Sequence, residues 1–95
     1  MYTDQVVNNP EAYRFEVVSG AQISKLEYRL GRSTIALVHT EVPEELQGQG
    51  IGSSLIKGAL EHAREKDLKV LPYCPFVAAY ISRHEEEWKD IIGEV

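Results

Sequence analysis

Three side chains in this sequence are suited to acid–base or nucleophilic chemistry: His39, Glu41 and Cys74. His39 and Glu41 are two residues apart in an extended run, so their side chains should project to one side of a strand, roughly 7 Å apart. Either could accept a proton or hold a water molecule near neutral pH. The alternatives are a hydrogen-bonded histidine at a strand end and a solvated acidic side chain, and the sequence leaves both open.

Cys74 directly precedes Pro75, a residue that favours the first position of a helix and has no N–H to donate. The proline also favours extended geometry at Cys74, which places the cysteine at the N-cap. The partial positive charge of a helix N-terminus lowers the pKa of a thiol and favours the thiolate. The competing interpretation is a small buried apolar side chain, which is what a free cysteine usually is.

The hydrophobic periodicity around these groups predicts an α/β (α+β) domain with a mixed sheet and the element order βββαβαα. The predicted strands are Arg14 to Val18, Gln22 to Leu30, Ser33 to Val42 and Leu68 to Tyr73. In the third strand, alternation predicts one side with Ile35, Leu37, His39 and Glu41, and the other with Ala36, Val38, Thr40 and Val42. The polar opening, Met1 to Ala12, lacks periodicity and is predicted to be a loose tail.

Two helices are predicted after the third strand. Ile51, Leu55, Ala59 and Ala63 repeat every four residues, which predicts a helix from Ile51 to Glu65. A strand–helix–strand unit of this length implies that its two strands pair in parallel through a right-handed crossover. Pro75 begins the second helix, and the spacing of Trp88, Ile91 and Ile92 indicates a C-terminal segment that folds back onto the core.

Size and composition exclude several classes of protein. With 95 residues, 43% of them apolar, the chain can form one domain over residues 1–95 and no second core. A net charge of −5 without a basic cluster argues against nucleic acid, and the lack of an apolar run of about 20 residues argues against a membrane. Cys74 is the only cysteine, so we expect no disulfide, no metal site and a reducing cytoplasm. The expected state is a monomer or homodimer.

The most informative motif is the glycine-spaced turn from Gln47 to Gly52, which joins the third strand to the first helix. Three glycines in five residues let the main chain come close to a bulky anion. The helix that starts there aims unpaired N–H groups and a partial positive charge at the same place. The turn therefore predicts a phosphate-bearing ligand, the alternative being a turn that only connects strand to helix.

Spacing separates this turn from the common nucleotide-binding loops. Gly48, Gly50 and Gly52 run G-x-G-x-G, and Ser53 stands where the dinucleotide fingerprint G-x-G-x-x-G needs glycine. A P-loop needs lysine and then serine or threonine after its last glycine, whereas Gly52 is followed by Ser53 and Ser54. Both nucleotide loops are excluded.

Gln47, Gly50 and Gly52 match in register the Gln/Arg-x-x-Gly-x-Gly/Ala motif of the GCN5-related N-acetyltransferases, a family that this chain resembles. The resemblance covers about Arg14 to Ile92, and the run Cys74, Pro75, Phe76, Val77 looks like the small single-domain branch of the superfamily. It implies the acyl-CoA N-acyltransferase fold and acetyl-CoA as co-substrate. It also implies an amine acceptor, either a small molecule or a protein.

The same resemblance implies which residues contact the coenzyme. They are Val42, Gln47, Gly48, Gln49, Gly50, Ile51, Gly52, Ser53, Cys74 and Tyr80. His39, Glu41 and Cys74 become the candidate catalytic residues, because an amine must lose a proton before it attacks a thioester and the departing thiolate needs a donor or a stabilising dipole. Direct attack by the amine and an acetyl-Cys74 intermediate both stay open, and the resemblance favours direct attack.

The chain departs from the larger members of this family in two respects. Ser19 and Gly20 leave no room for the helices that help form the acceptor site in a typical member. The family's frequent asparagine after the last strand is replaced near Cys74, and Tyr80 lies one residue closer to Cys74 than the tyrosine often offered as general acid. A second function therefore stays open, a CoA-binding or protein-interaction module without catalysis.

Overall fold

A computed structural model that describes residues 5–93 contains one five-stranded mixed sheet and three helices. The strands are β1 (Val7–Asn9), β2 (Arg14–Ser19), β3 (Gln22–Leu30), β4 (Thr34–Glu41) and β5 (Lys69–Pro72). Their order in the sheet follows the chain, with β1 to β4 antiparallel and β5 parallel to β4. The predicted fold class, including the parallel pairing, is confirmed.

Helix α1 (Ile51–Glu65) crosses over between β4 and β5 and packs on the sheet. Its i, i+4 repeat of apolar residues is fully buried, because that stripe faces the core formed with β2 and β3. The charged residues Lys57, Glu61 and Arg64 lie off the stripe. The bounds predicted from the repeat are confirmed.

Helices α2 (Pro75–Arg83) and α3 (Glu85–Trp88) pack beside α1. The Trp88 side chain is 1% exposed, and the Arg64 guanidinium lies 4.6 Å from the centroid of its ring. Ile92 then forms a parallel bridge with Val70 of β5. The predicted return of the C-terminal segment to the core is confirmed.

Strand β1 was not predicted, and the expectation of a loose tail is wrong for this part of the chain. Val7–Asn9 pairs with β2, where Asn9 Nδ2 donates to Glu16 Oε2 at 3.0 Å. Asn8 Oδ1 accepts from the Tyr28 hydroxyl at 2.7 Å. The observed order is therefore ββββαβαα, and Met1–Asp4 lie outside the described residues.

A β-bulge in β4 changes which side chains share a face. Tyr28 pairs with Leu37, whereas Glu27 pairs with His39, so Val38 is an extra residue in β4. The predicted grouping of His39 and Glu41 with Leu37 is therefore wrong, because alternation restarts after the bulge. Thr40 turns to the face covered by the helices, together with its partner Leu26.

The two faces of the sheet differ in character beside the end of β4. The helix face carries the buried core under α1 and α2. The other side, which we call the open face, carries the residues paired with the end of β4, among them Lys25, Glu27, His39 and Glu41. The turn at Gly20 joins β2 directly to β3, as the sequence indicated.

Candidate functional site

The loop between β4 and α1 is fixed to the end of β4 by the side chain of Gln47. Gln47 Nε2 donates to the Val42 carbonyl oxygen at 3.1 Å, which ties the end of the loop to the end of β4. Gly48 and Gly50 have φ of +85° and +82°, values that strain any residue with a side chain. A Cβ added at either glycine would meet no atom within 4 Å, so both face open space.

Helix α1 presents unpaired amides at this loop. Its first hydrogen bond runs from Ser54 N–H to the Gly50 carbonyl at 3.0 Å. The amides of Ile51, Gly52 and Ser53 therefore have no acceptor within the helix. Free amides at a helix N-terminus, together with the positive end of the helix dipole, favour binding of an anion such as phosphate.

These amides border a cavity of about 430 Å³, which we call the loop groove. The lining residues are Thr40, Val42, Leu46, Gln47, Gly48, Gly50, Ile51, Gly52, Ser53 and Phe76. Seven of them are predicted coenzyme contacts, and Gln49 instead lines a neighbouring cavity. The loop groove is our candidate site for the phosphate-bearing ligand, since it joins apolar walls to the start of α1.

Gly52 has a different role from the other two glycines. It is buried, and a Cβ built on it would lie 2.7 Å from Cε2 of Phe76. The absence of a side chain at this position lets the Phe76 ring pack onto α1 and form a wall of the loop groove. Phe76 was not singled out from the sequence as a site residue, although it lies in the Cys-Pro-Phe-Val run.

Cys74 occupies the N-cap of α2, as predicted, with φ −72° and ψ 125°. Its side chain is 6% exposed, and its Sγ lies 3.5 Å from Thr40 Oγ1. Its own N–H donates to the Leu37 carbonyl at 2.9 Å, just beyond the last pair of β4 with β5, Leu37 with Pro72. The two strands separate from there on, and Cys74 and Thr40 lie where they part.

Several groups set the ionisation of Cys74. Burial raises the pKa of its thiol, but the hydrogen bond with the Thr40 hydroxyl and the nearby amides of Val77 and Phe76 together lower it by more, so that the net shift is downward. The side chain forms no capping hydrogen bond, so the amides act on the sulfur as dipoles. The predicted direction is confirmed, and the contribution of Thr40 was missed because the bulge that turns it inward was not foreseen.

His39 and Glu41 lie together on the open face. His39 Nε2 is 3.5 Å from Glu41 Oε1, and Lys25 Nζ is 3.7 Å from the same oxygen. The imidazole and carboxylate side chains are 55% and 60% exposed. The structure brings these two predicted residues together but places them on the opposite face of β4 from Thr40 and Cys74.

Tyr80 lines a second cavity, of about 450 Å³, which we call the side groove. Its lining residues are Gln49, Gly50, Ser53, Ser54, Lys57, Tyr80, His84 and Glu87. The rings of Tyr80 and His84 lie with centroids 4.4 Å apart. Burial, followed by Glu87 and Glu61, raises the pKa of the Tyr80 phenol against a small opposing effect of Arg83.

A sequence profile described as GCN5-related N-acetyl-transferase matches residues 13–91, most of the described chain. The chain belongs to the GCN5-related N-acetyltransferase family. The NMR solution structure of a GCN5-like protein from Staphylococcus aureus has this fold, with a TM-score of 0.70 and 28% identity. The superposition covers 100% of this chain and 93% of that one.

Curated relatives of this family member include Protein NATD1 of Xenopus tropicalis and of Homo sapiens. Each is 36% identical over 55 residues, which is 58% of this chain. The match covers 50% of the Xenopus protein and 49% of the human one, so the chain spans about half the length of these relatives. Within residues 5–93, no helix of this member is both long and apolar enough to cross a membrane.

Proposed function

We propose that this chain is an acetyl-CoA-dependent N-acetyltransferase that transfers the acetyl group of acetyl-CoA to an amine. The observation that carries the proposal is the loop groove, where unpaired α1 amides meet two glycines held at positive φ beside open space. A diphosphate fits this arrangement because its oxygens accept from main-chain N–H groups that no side chain obstructs. Family membership supports the same ligand.

The separating strands would hold the reactive end of the coenzyme. With the diphosphate at the amides of Gly50 to Ser53, the pantetheine arm would run along Val42 and Phe76 toward Thr40. Thr40 lies 3.5 Å from Cys74 Sγ, so the thioester would sit beside both. We propose Val42, Gln47, Gln49 and Tyr80 as further contacts of the coenzyme.

The reaction requires two proton movements. An alkyl ammonium has a pKa of about 10.4, so it must lose a proton before its nitrogen attacks the acetyl carbon. We propose that His39 or Glu41 accepts this proton, directly or through water, as the amine arrives from the open face. The C–N bond then forms and the C–S bond breaks, and the CoA thiolate would take up the second proton that the nitrogen releases, passed on by the Thr40 hydroxyl or the Cys74 thiol.

Between the two routes, the geometry favours direct transfer. The Cys74 side chain is 6% exposed and does not itself line the loop groove, whereas a covalent nucleophile must reach the acetyl carbon. Intact mass after incubation with acetyl-CoA alone distinguishes the routes. Direct transfer leaves the mass unchanged, and an added acetyl group that Cys74→Ala abolishes would show the intermediate.

One observation favours the second function, a CoA-binding or protein-interaction module without catalysis. His39 and Glu41 lie on the opposite face from Thr40 and Cys74, so no acid–base pair lines the loop groove. Release of free CoA in the presence of polyamines, lysine peptides or small amines tests for turnover. Turnover that falls in His39→Ala and Cys74→Ala supports the enzyme, and binding without turnover supports the module.

A thermal-shift experiment tests the ligand itself. Acetyl-CoA and CoA should raise the melting temperature, whereas ATP should not, and saturation at about 100 times Kd corresponds to about 2.7 kcal/mol. Equal stabilisation by ATP would contradict the assignment of the loop groove to CoA. We further propose that the Cys74 to Val77 run marks the small single-domain branch, and that the chain acts in the cytoplasm as a monomer or homodimer.

A further inference from the structure

Lys25 lies among three carboxylates on the open face of the sheet. It pairs across the sheet with Glu16 of β2 on one side and with Glu41 of β4 on the other, and Glu27 follows two residues later on β3. These side chains share the open face, because strand residues two apart, like residues paired across two strands, point the same way. The Lys25 side chain is 25% exposed, less than those of Glu27 and Glu41, at 30% and 60%.

Two of the three carboxylates depend on Lys25 for their positive partner. Its Nζ is 3.4 Å from Glu27 Oε2 and 3.7 Å from Glu41 Oε1. The third carboxylate, that of Glu16, is paired with Arg14. Within residues 5–93, Lys25 is the one lysine or arginine whose side chain forms an ion pair with Glu27 or Glu41.

The Glu27 and Glu41 carboxylates lie beside the path that the proposed acceptor takes. Strand β4 separates from β5 beyond the pair of Leu37 with Pro72, and Glu41 ends β4 on the open face. An amine that comes from this face to a thioester beside Thr40 therefore passes Glu41. If the acceptor carries a second ammonium, that group would lie over Glu27 and Glu41 while the reactive nitrogen lies at the thioester.

The charge of Lys25 acts against such a second ammonium in two ways. A carboxylate without a counter-charge would attract it, whereas a carboxylate already paired with Lys25 gains little from a further cation. The Lys25 ammonium also repels any positive group that comes close to it, and repulsion of this kind discriminates against the wrong ligand.

We propose that Lys25 is a specificity-determining residue that excludes polyamines from the acceptor site. This inference rests on the proposed function and narrows its acceptor to an amine without a second positive charge near the reactive nitrogen. Lys25 acts through Glu27 and Glu41 and does not take part in the transfer itself. Its removal should therefore change the KM of the acceptor and leave kcat as it is.

Release of free CoA with spermidine and with benzylamine tests this inference. The wild-type protein should have the higher kcat/KM with benzylamine, which carries a single ammonium. Lys25→Gln should lower the KM for spermidine at least about threefold more than the KM for benzylamine, the effect of one partly exposed charge at roughly 4–6 Å. Lys25→Arg should behave as the wild-type protein. Lys66→Gln, which removes an exposed lysine at the end of α1, is the matched control and should change neither KM.

Several outcomes would overturn the role of Lys25 while leaving acetyl transfer to an amine intact. They are a preference of the wild-type protein for spermidine, an equal change of KM for both amines in Lys25→Gln, and a fall in kcat with KM unchanged. The second would show that the lysine acts on the reactive nitrogen that both amines share. The third would show that it supports the transfer step.

Failure of the proposed function would look different. The wild-type protein would then bind acetyl-CoA and release no CoA with either amine. Calorimetric titration with spermidine still decides on Lys25 in that case. Tighter binding of spermidine by Lys25→Gln than by the wild-type protein would support the exclusion of polyamines, and equal binding would overturn it.

Discussion

A single charge placed at Gly50 tests whether an anion lies against the start of α1. Asparagine and aspartate have nearly the same volume, and both tolerate the left-handed conformation better than other residues with a side chain. At φ +82° each should therefore cost about the same stability, on the order of 1 kcal/mol. Since an added Cβ meets no atom within 4 Å, neither substitution causes a clash. The two variants then differ in charge alone.

The size of the charge effect follows from the geometry. A carboxylate at roughly 4–6 Å from one phosphate charge, at an effective dielectric constant between about 20 and 80, costs about 0.7–4 kcal/mol. Gly50→Asp should therefore bind acetyl-CoA at least about threefold more weakly than Gly50→Asn, and this difference in affinity should narrow as salt is added.

The assay is calorimetric titration of both variants with acetyl-CoA at low and at physiological salt. The same pair of substitutions at Gly20, which has φ +62° and open space around it, is the control for backbone strain. Both Gly20 variants should lose stability and bind acetyl-CoA equally. Equal affinity of Gly50→Asp and Gly50→Asn would refute the placement of the diphosphate at this helix start.

Three further predictions concern the groups around the loop groove and the first strand. Thr40→Val should raise the pKa of the Cys74 thiol, because it removes a hydroxyl that lowers it, and the pH profile of alkylation should shift upward. Hydrogen bonds from Arg14 and Asn9 hold the pKa of the Glu16 carboxyl below its usual value of 4.5, so the ionised Glu16 stabilises the folded state. This contribution to the free energy of unfolding is fully present above about pH 4.5 and is lost as pH falls through the folded-state pKa. Glu16→Gln should remove that part of the acid sensitivity in denaturant unfolding. Gly52→Ala should displace the Phe76 ring and weaken acetyl-CoA binding, whereas in a Phe76→Ala background it should stabilise by about 0.5–1 kcal/mol through helix propensity.

Each of these predictions has a control within the chain. Thr34→Val removes a hydroxyl at the other end of β4 and should leave Cys74 alkylation unchanged. Glu44→Gln alters an exposed carboxylate that has no partner within residues 5–93. The stability of this variant should fall in acid as much as that of the wild-type protein does. For Gly52, additive effects of the two substitutions would contradict the contact with Phe76.

Much of the fold could be predicted because its elements carry strong periodic signals. The bounds of β3 and α1 agree with the sequence to the residue, since both follow hydrophobic patterns over nine or more positions. Strand β1 has three residues and is held by the side chains of Glu16, which lies on the next strand, and Tyr28, which lies 20 residues after Asn8. Nothing local in its sequence shows these bonds.

The candidate site was predictable where backbone conformation dictates residue type. Gly48 and Gly50 have the positive φ that glycine spacing suggests, and Pro75 starts α2 with Cys74 at its N-cap. Thr40 escaped prediction because a bulge centred on valine leaves no sequence signal, unlike a bulge that requires glycine. Because the bulge was not predicted, His39 was also assigned to the wrong face of β4.

Val38 shifts the alternation of side chains at the end of β4 by one residue. Every side chain after it points opposite to the direction that counting from the strand start would give, although no residue identity has changed. Deleting Val38 would restore regular alternation and keep the pairings, so that His39 and Glu41 stay on the open face and Thr40 stays beside Cys74. When roles are transferred between relatives along this strand, positions must therefore be counted from the bulge, because an alignment without a gap there assigns each role to the neighbouring residue.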